Sequence, residues 1–291
     1  MTRTRMYGSG TPGPPDEPVL KAFPDGHFYS PIPDLHEVAR RDAEVFAAPD
    51  ELPGIDLGIA RQLELLPLLA RASADAAFPA RRQPGHRYYK DNNFFGAGDA
   101  IVWYGMLRRL RPQRVVEVGS GFSSAVLLDA VDRTADWDPR LTFVEPYPER
   151  LLELVAEHDR IDLVQAPVQE APRTSFEALR AGDVLFIDST HVGKIGSDVL
   201  ALLLDVIPRL PPGVFVHLHD IFYPFQYPPE WVYQGFAWNE AYLLRALLTG
   251  NERLRIAWWN NLMATFHHDE VAAAMPVWAE NTGGSIYLRT G

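Results

Sequence analysis

The 291-residue sequence predicts an α/β protein: a seven-stranded, mostly parallel sheet with helices on both faces, an antiparallel last strand and an N-terminal helical extension. Two observations carry this. From Arg114 onward, short β-branched or apolar runs alternate with stretches able to form helices of two to four turns, the order that builds a parallel sheet. The last two strand candidates are joined by a segment short of a clean strand–helix–strand unit, which turns the final strand round.

Each element has its own signal. Residues 1–35 are rich in Pro and Gly and read as an irregular arm. A helix is expected over about 55–76, where Ile59, Leu63, Leu66 and Leu69 recur at helical spacing. Pro67 inside it leaves a kink or two shorter helices as open as one straight helix. A loop dense in Gly, Asn and aromatics follows, and leads into a helix over 99–110. The strands are predicted at 114–118, 141–145, 161–165, 183–188, 213–219, 253–259 and 285–289. Helices are predicted between the first five, with a longer one at about 239–248. This divides the chain into an arm and helical lid or dimer element, 1–98, and a core, 99–291, with an aromatic insertion at 221–242.

Composition narrows the function. There are 27 Lys+Arg against 38 Asp+Glu, a formal net charge of −11, which argues against a nucleic-acid backbone or an anionic membrane as the main partner. With no cysteine, disulfides, thiolate metal sites and cysteine nucleophiles are excluded. The start carries Arg with no apolar run behind it, so no secretory signal is read. The apolar run at 199–204 ends at Asp205 and Pro208, well short of a membrane span. The expectation is a soluble cytoplasmic protein, with a homodimer left open.

The first strand runs into Glu117-Val118-Gly119-Ser120-Gly121-Phe122-Ser123-Ser124 and then a helix. Glycines at such a turn let the backbone approach a ligand, and the helix start offers free N–H groups. The second strand ends in Glu145, placed to accept from ribose hydroxyls. Ser124 stands where a dinucleotide fingerprint wants its third glycine, and Glu117 puts a carboxylate beneath the turn. That acid is unwelcome beside pyrophosphate but useful near amino and sulfonium groups.

These residues resemble the class I S-adenosylmethionine-dependent methyltransferases, from about Asp99 to the C-terminus. EVGSGFSS is similar to that family's first motif, FVEP to its second-strand acid and DVLFIDSTH to its fourth-strand motif. FIDSTHVGKIGSDV, HLHDIFYPFQYP and NEAYLLRALL resemble a bacterial subgroup acting on small molecules. The resemblance implies the Rossmann-like methyltransferase fold and S-adenosylmethionine as cofactor. Glu117, Gly119, Ser120, Gly121 and Ser123 would then cradle the methionine part. Glu145 and Pro146 would hold the ribose side, residues 166–169 would flank the adenine, and Asp188 would border the site.

In an open α/β sheet the ligand lies outside the carboxyl ends of the strands. Strand 4 ends in Asp188-Ser189-Thr190-His191 and strand 5 in His217-Leu218-His219-Asp220, so both converge on one rim. Methyl transfer needs a deprotonated nucleophile held in line with the methyl. His191 is the expected base, with His219 and His217 as further candidates. Asp188 and Asp220 would position the substrate or, with His219, hold a divalent cation. Catechol-type O-methyltransferases, which the rim resembles, carry a polar metal ligand after the second acid, where this chain has Ile221.

From Phe222 to Tyr242, nine of 21 residues are aromatic. Tyr223, Tyr227 and Trp231 are expected to wall a pocket for a ring-bearing or sugar-like acceptor, with Tyr88, Tyr89 and Asn92 opposite. The favoured activity is O-methylation of a small molecule. The alternatives are a metal-free N- or C-methyltransferase, or a catalytically idle protein using the fold for binding or assembly.

Overall fold

The computed structural model describes residues 22–291. The chain divides after Val45. Of the expected irregular arm, residues 1–21 lie outside the described residues. Residues 22–45 form two short helices, α1 (Leu35–Arg40) and α2 (Asp42–Val45). Asp34 caps α1 by accepting from the backbone N–H groups of His36 and Glu37. The rest of the described chain, 46–291, is one compact unit.

All seven predicted strands are present, each within two residues of its expected bounds: β1 (Arg114–Val118), β2 (Arg140–Val144), β3 (Ile161–Val164), β4 (Val184–Ile187), β5 (Phe215–Leu218), β6 (Leu254–Trp259) and β7 (Ile286–Thr290). Their order is β3-β2-β1-β4-β5-β7-β6, with β7 antiparallel to both neighbours. The order reverses between β1 and β4, the crevice where ligands of such sheets bind.

The helices follow as α3 (Ile59–Ala72), α4 (Ala97–Leu110), α5 (Phe122–Asp132), α6 (Glu149–Leu152) and α7 (Arg173–Glu177). Next come α8 (Asp198–Leu200), α9 (Pro229–Tyr233), α10 (Glu240–Leu248), α11 (Asn260–Phe266) and α12 (His268–Ala274). They cover both faces. Val116 and Val118 of β1 join a core with α8 and α10, whereas Val115 faces a second core with α4 and α5. Alternation along the strand therefore sends Glu117 to the α5 side.

Of the alternatives left open at Pro67, α3 takes the single continuous helix. Two other helix expectations need amendment. After β2 only four residues are helical. Asp159, downstream, caps the Ala156 N–H and pairs with Arg87 at 2.9 Å, which turns the chain early. After β4 a single turn of α8 widens to a π-helix (Ala201–Val206) and then tightens to a 3₁₀ turn (Ile207–Arg209), where Pro208 has no N–H to continue the ladder. Two helices between β6 and β7, α11 and α12, had no signal in the sequence reading.

Helix α3 is fixed to the sheet through Gln62. Its side chain is fully buried, accepts from the Trp259 N–H at 2.8 Å and donates to the Leu57 carbonyl at 2.8 Å. No helix among the described residues is long and apolar enough to cross a membrane.

Candidate active site

At the β1 turn, Gly119 has φ +77°, and a Cβ there would lie 2.1 Å from the Asp188 carbonyl oxygen. The ends of β1 and β4 can therefore meet only if this residue is glycine. Below the turn, Glu117 is fully buried and accepts from Ser123 Oγ at 2.6 Å and Ser124 Oγ at 2.8 Å, both on Oε1. Ser124 in turn accepts from the Gly121 N–H at 3.0 Å. Serine replaces the dinucleotide-type glycine because it links the turn to the acid. Burial pushes the Glu117 carboxyl up to about 8, against the pull of the two serines, and its Oε2 has no partner. Glu145 accepts from the Ser120 N–H at 2.9 Å, from Ser120 Oγ and from the Tyr147 N–H.

A cleft of about 920 Å³ opens at the ends of β1, β4 and β5. It is lined by Ser120, Gly121 and Ser123 from the turn and by Asp188, His191, His219 and Asp220 from the two loops beyond. Glu117, Gly119, Glu145 and Pro146 do not line it; the first three support the turn that does. Residues 166–169 do not line it either, and Gln169 donates to the Gly196 carbonyl.

Each histidine is backed by a buried acid that sequence reasoning missed. His191 Nδ1 is 2.8 Å from Glu240 Oε2, at the start of α10, and Ser189 Oγ holds the other Glu240 oxygen at 2.9 Å. His219 Nε2 is 3.5 Å from Asp99, which accepts from the Asn260 side chain and the Ser285 N–H at 2.9 Å. The front nitrogens face the two strand-end acids. His191 Nε2 lies 3.5 Å from Asp188 and 3.7 Å from Asp220; His219 Nδ1 lies 3.6 and 3.7 Å from the same pair. Both His191 (φ +58°) and Asp220 (φ +56°) hold left-handed backbone that non-glycine residues rarely adopt.

This environment changes the expected protonation. Burial pulls His191 down, but Asp188 and Glu240 outweigh it and raise the ring to about 10. His219 is likewise raised well above its ordinary value, burial being overcome by Asp220 and Asp188. Burial also opposes the charge on Asp188, yet the two imidazoles hold it well below the usual carboxylate range. At Asp220 burial prevails and the carboxyl is raised. His191 is thus an imidazolium at neutral pH in the protein alone, not the free base expected from an unperturbed ring. His217, also considered as a base, is fully buried, bonds to Ser285 Oγ at 2.8 Å and is pushed well below its usual value by burial and by His219.

The metal reading meets a geometric obstacle. Among the described residues, the group of three side chains whose ligand atoms all lie within 4.8 Å of one another is Asp132, His158 and Asp159, a surface group that Arg87 already bridges. Asp188, Asp220 and His219 do not form such a group, because imidazoles alternate with the acids around the rim. The residues present do not fit a closed shell around an ion.

The aromatic wall is present, but with different members. Trp231 lines the cleft with Phe222, Phe236 and Trp238. Trp231 and Trp238 meet edge to face at 5.3 Å, and Trp238 lies 4.5 Å from the His191 ring. Tyr223 and Tyr227 are buried behind the wall: Tyr223 packs on Trp259 and Phe266, and the Tyr227 hydroxyl accepts from the Ala241 N–H at 3.1 Å. Opposite, Tyr88 is fully buried, since Asp129 accepts from the Arg87 and Tyr88 N–H groups and turns the ring inward. Tyr89 packs edge-on against Phe122 outside the cleft lining. Asn92 lines the cleft, but its amide is spent bracing its own turn through Tyr89 and Phe95.

Residues 116–221, from β1 to the end of the β5 loop, match the family model described as a methyltransferase domain. The chain belongs to the class I S-adenosylmethionine-dependent methyltransferases. The methyltransferase is 36% identical over 171 residues to an uncharacterized protein of Archaeoglobus fulgidus, covering 56% of this chain and 76% of that relative. Among solved structures it is similar to a Podospora anserina methyltransferase bound to S-adenosylhomocysteine, at 16% identity and TM-score 0.44, covering 88% of this chain and 94% of that one. It is also similar to a plantazolicin methyltransferase with the same ligand, at 12% identity and TM-score 0.44, covering 79% and 97%. The cofactor of this enzyme is S-adenosylmethionine. Its residues fit that group: a glycine turn braced from below, an orphaned buried carboxyl oxygen on Glu117, and Glu145 one residue contact from the cleft.

Proposed function

We propose that the methyltransferase acts in the cytoplasm on a hydroxyl of a small, ring-bearing or sugar-like molecule, with His191 as the base. The observation that carries this is the contact of Trp238 with His191 at 4.5 Å, which puts the proton-handling group at the foot of the aromatic wall. An acceptor ring stacked on that wall presents its substituents to the histidine and to the acids beside it. Asp188 and Asp220 would accept from neighbouring hydroxyls and orient the one that reacts.

Bound S-adenosylmethionine supplies a methyl on a positively charged sulfur, and a second positive charge in this cleft favours the neutral form of His191. Glu240 then fixes the ring so that Nε2 faces the acceptor, and takes the partial charge as the proton arrives. Binding of the cationic cofactor and readiness of the base are in this way coupled.

The acid-rich rim favours one second reading, an amine acceptor, because Asp188 and Asp220 suit an ammonium group. A methyl-transfer assay measuring S-adenosylhomocysteine release against panels of phenols, methyl glycosides and primary amines separates the two. Turnover with the hydroxyl panels, lost in His191→Gln, supports the proposal. Turnover confined to amines would replace it.

A further inference from the structure

We infer that Arg150 is the anion-binding residue of the cleft, taking a carboxylate or phosphate group of the molecule that occupies it. This rests on the cleft being the methyltransferase's ligand site, and goes beyond it by naming a charged subsite. Among the cleft-lining residues Arg150 is the sole Lys or Arg. Among the described residues, no carboxylate forms a salt bridge with it, although acids pair with Arg61, Arg87, Arg108, Arg114, Arg140 and Arg160 elsewhere. What sets it apart from other unpaired arginines is its place: the remaining titratable side chains of the cleft are three aspartates and two histidines.

The side chain is also pre-positioned. Its stem lies on Gly121, where a Cβ would come 3.2 Å from Arg150 Cδ, and its guanidinium lies 4.0 Å above the ring of Phe94. Phe94 in turn stacks on Phe122 at 6.2 Å. A guanidinium seated over an aromatic face spends none of its N–H groups on that contact, and its fork matches a carboxylate or phosphate in two hydrogen bonds. Glycine at 121 leaves room for the stem. The cleft is thus divided: a proton-handling floor where acids and imidazoles already face one another, and one guanidinium without a carboxylate partner beside the glycine turn.

Two sources could bring the anion: the amino-acid carboxylate of the cofactor, or an acidic group on the acceptor. Calorimetry on the full-length protein separates them, using Arg150→Gln and the charge-keeping Arg150→Lys, with S-adenosylhomocysteine, 5′-methylthioadenosine and inorganic phosphate as probes. The thioadenosine shares the nucleoside sulfide but lacks the amino-acid carboxylate. If the anion belongs to the cofactor, Arg150→Gln weakens S-adenosylhomocysteine by about 10- to 100-fold and leaves the thioadenosine unchanged. If it belongs to the acceptor, both nucleosides bind as before, and phosphate binding to wild type is lost in Arg150→Gln. Partial retention by Arg150→Lys in the responding arm confirms that charge is what is read. Unchanged affinity in every arm overturns the inference and leaves Arg150 as a packing strap between Gly121 and Phe94. Failure of wild type to bind either nucleoside would strike the reading of the cleft instead, and the phosphate arm would still decide Arg150.

Discussion

Glu240 Oε2 and His191 Nδ1 stand 2.8 Å apart with both side chains shielded from solvent, their relative exposures being 1% and 7%. A buried imidazole so placed holds its proton unless another positive charge competes for the same acids. The pair also ties local structure to chemistry: the His191 carbonyl accepts from the N–H groups of Asn239 and Glu240 at the start of α10, so the loop after β4 and the helix start are fixed together. The left-handed backbone at His191 is part of that arrangement.

The rate should follow this pair. With His191 raised to about 10, kcat/KM of the wild type is expected to climb with pH above neutrality, not to level off past the ordinary imidazole range. Glu240→Gln removes one of the charges that raise the ring, so the limb should move toward neutral pH. His191→Gln should keep near-native cofactor affinity and lose at least about two decades of kcat. The same pairing stabilises the fold: a raised histidine contributes stability fully present below about 6.5 and lost as pH rises through about 10. A wild-type limb centred near 6.5, unmoved in Glu240→Gln, would show that the pair does not control the proton.

The sheet was legible almost to the residue because β-branched runs bounded by Gly, Asp and Pro carry their own signal. Val115, Val116 and Val118 can be read as strand without any knowledge of partners. So could the rim, since Asp188 and Asp220 fall at strand ends. What the sequence hid is the second layer. Asp99 and Glu240 sit in ordinary-looking helix starts, 120 and 49 residues from the histidines they reach only through the order of β4 and β5. Aromatic density likewise marked the wall but not its face. Tyr223 and Tyr227 turn inward because Asn261 and Ala241 pair with their polar atoms, and those partners belong to later elements. Arg150 had no local signal, as one basic residue in a helical run reads as solvated surface.

Glu117 predicts a pH dependence of stability. Its carboxyl is raised from 4.5 to about 8 by burial, so the folded state keeps a proton that the unfolded chain gives up. Its contribution is fully present below about 4.5 and declines as pH rises through about 8. Glu117→Gln preserves an acceptor for Ser123 and Ser124 but cannot ionise. Urea midpoints measured between pH 5 and 8 should fall with pH more steeply for wild type than for the variant. Parallel slopes would mean that Glu117 is charged throughout.

Glu145 links the turn to the nucleoside side of the cofactor. Glu145→Ala removes three hydrogen bonds, from the Ser120 N–H, Ser120 Oγ and the Tyr147 N–H, together with any bond to the ribose hydroxyls. Loss of one charge-assisted bond costs roughly 1.5–3 kcal/mol, so the S-adenosylmethionine Kd should rise at least tenfold. Calorimetry with the thermal midpoint recorded alongside checks this. An unchanged Kd would separate Glu145 from the cofactor.

Chelation tests how the rim balances its charge. Asp188 and Asp220 would repel each other if no cation stood between them, and two kinds of cation could serve. A divalent ion requires its ligand atoms to converge. Here each acid instead has an imidazole at 3.5–3.7 Å on both sides. Each imidazole is anchored from behind by Glu240 or Asp99, which favours the charged ring. Ile221, the residue after Asp220, is fully buried and has no donor to add. The histidines therefore supply the positive charge from within the chain, and turnover should survive exhaustive EDTA treatment with no gain on adding Mg²⁺, Mn²⁺ or Zn²⁺. His219→Gln, which removes one of these charges, should lower activity even in the presence of EDTA. Activity abolished by chelation and restored by one of those ions would assign the rim to metal and leave the imidazoles as its ligands.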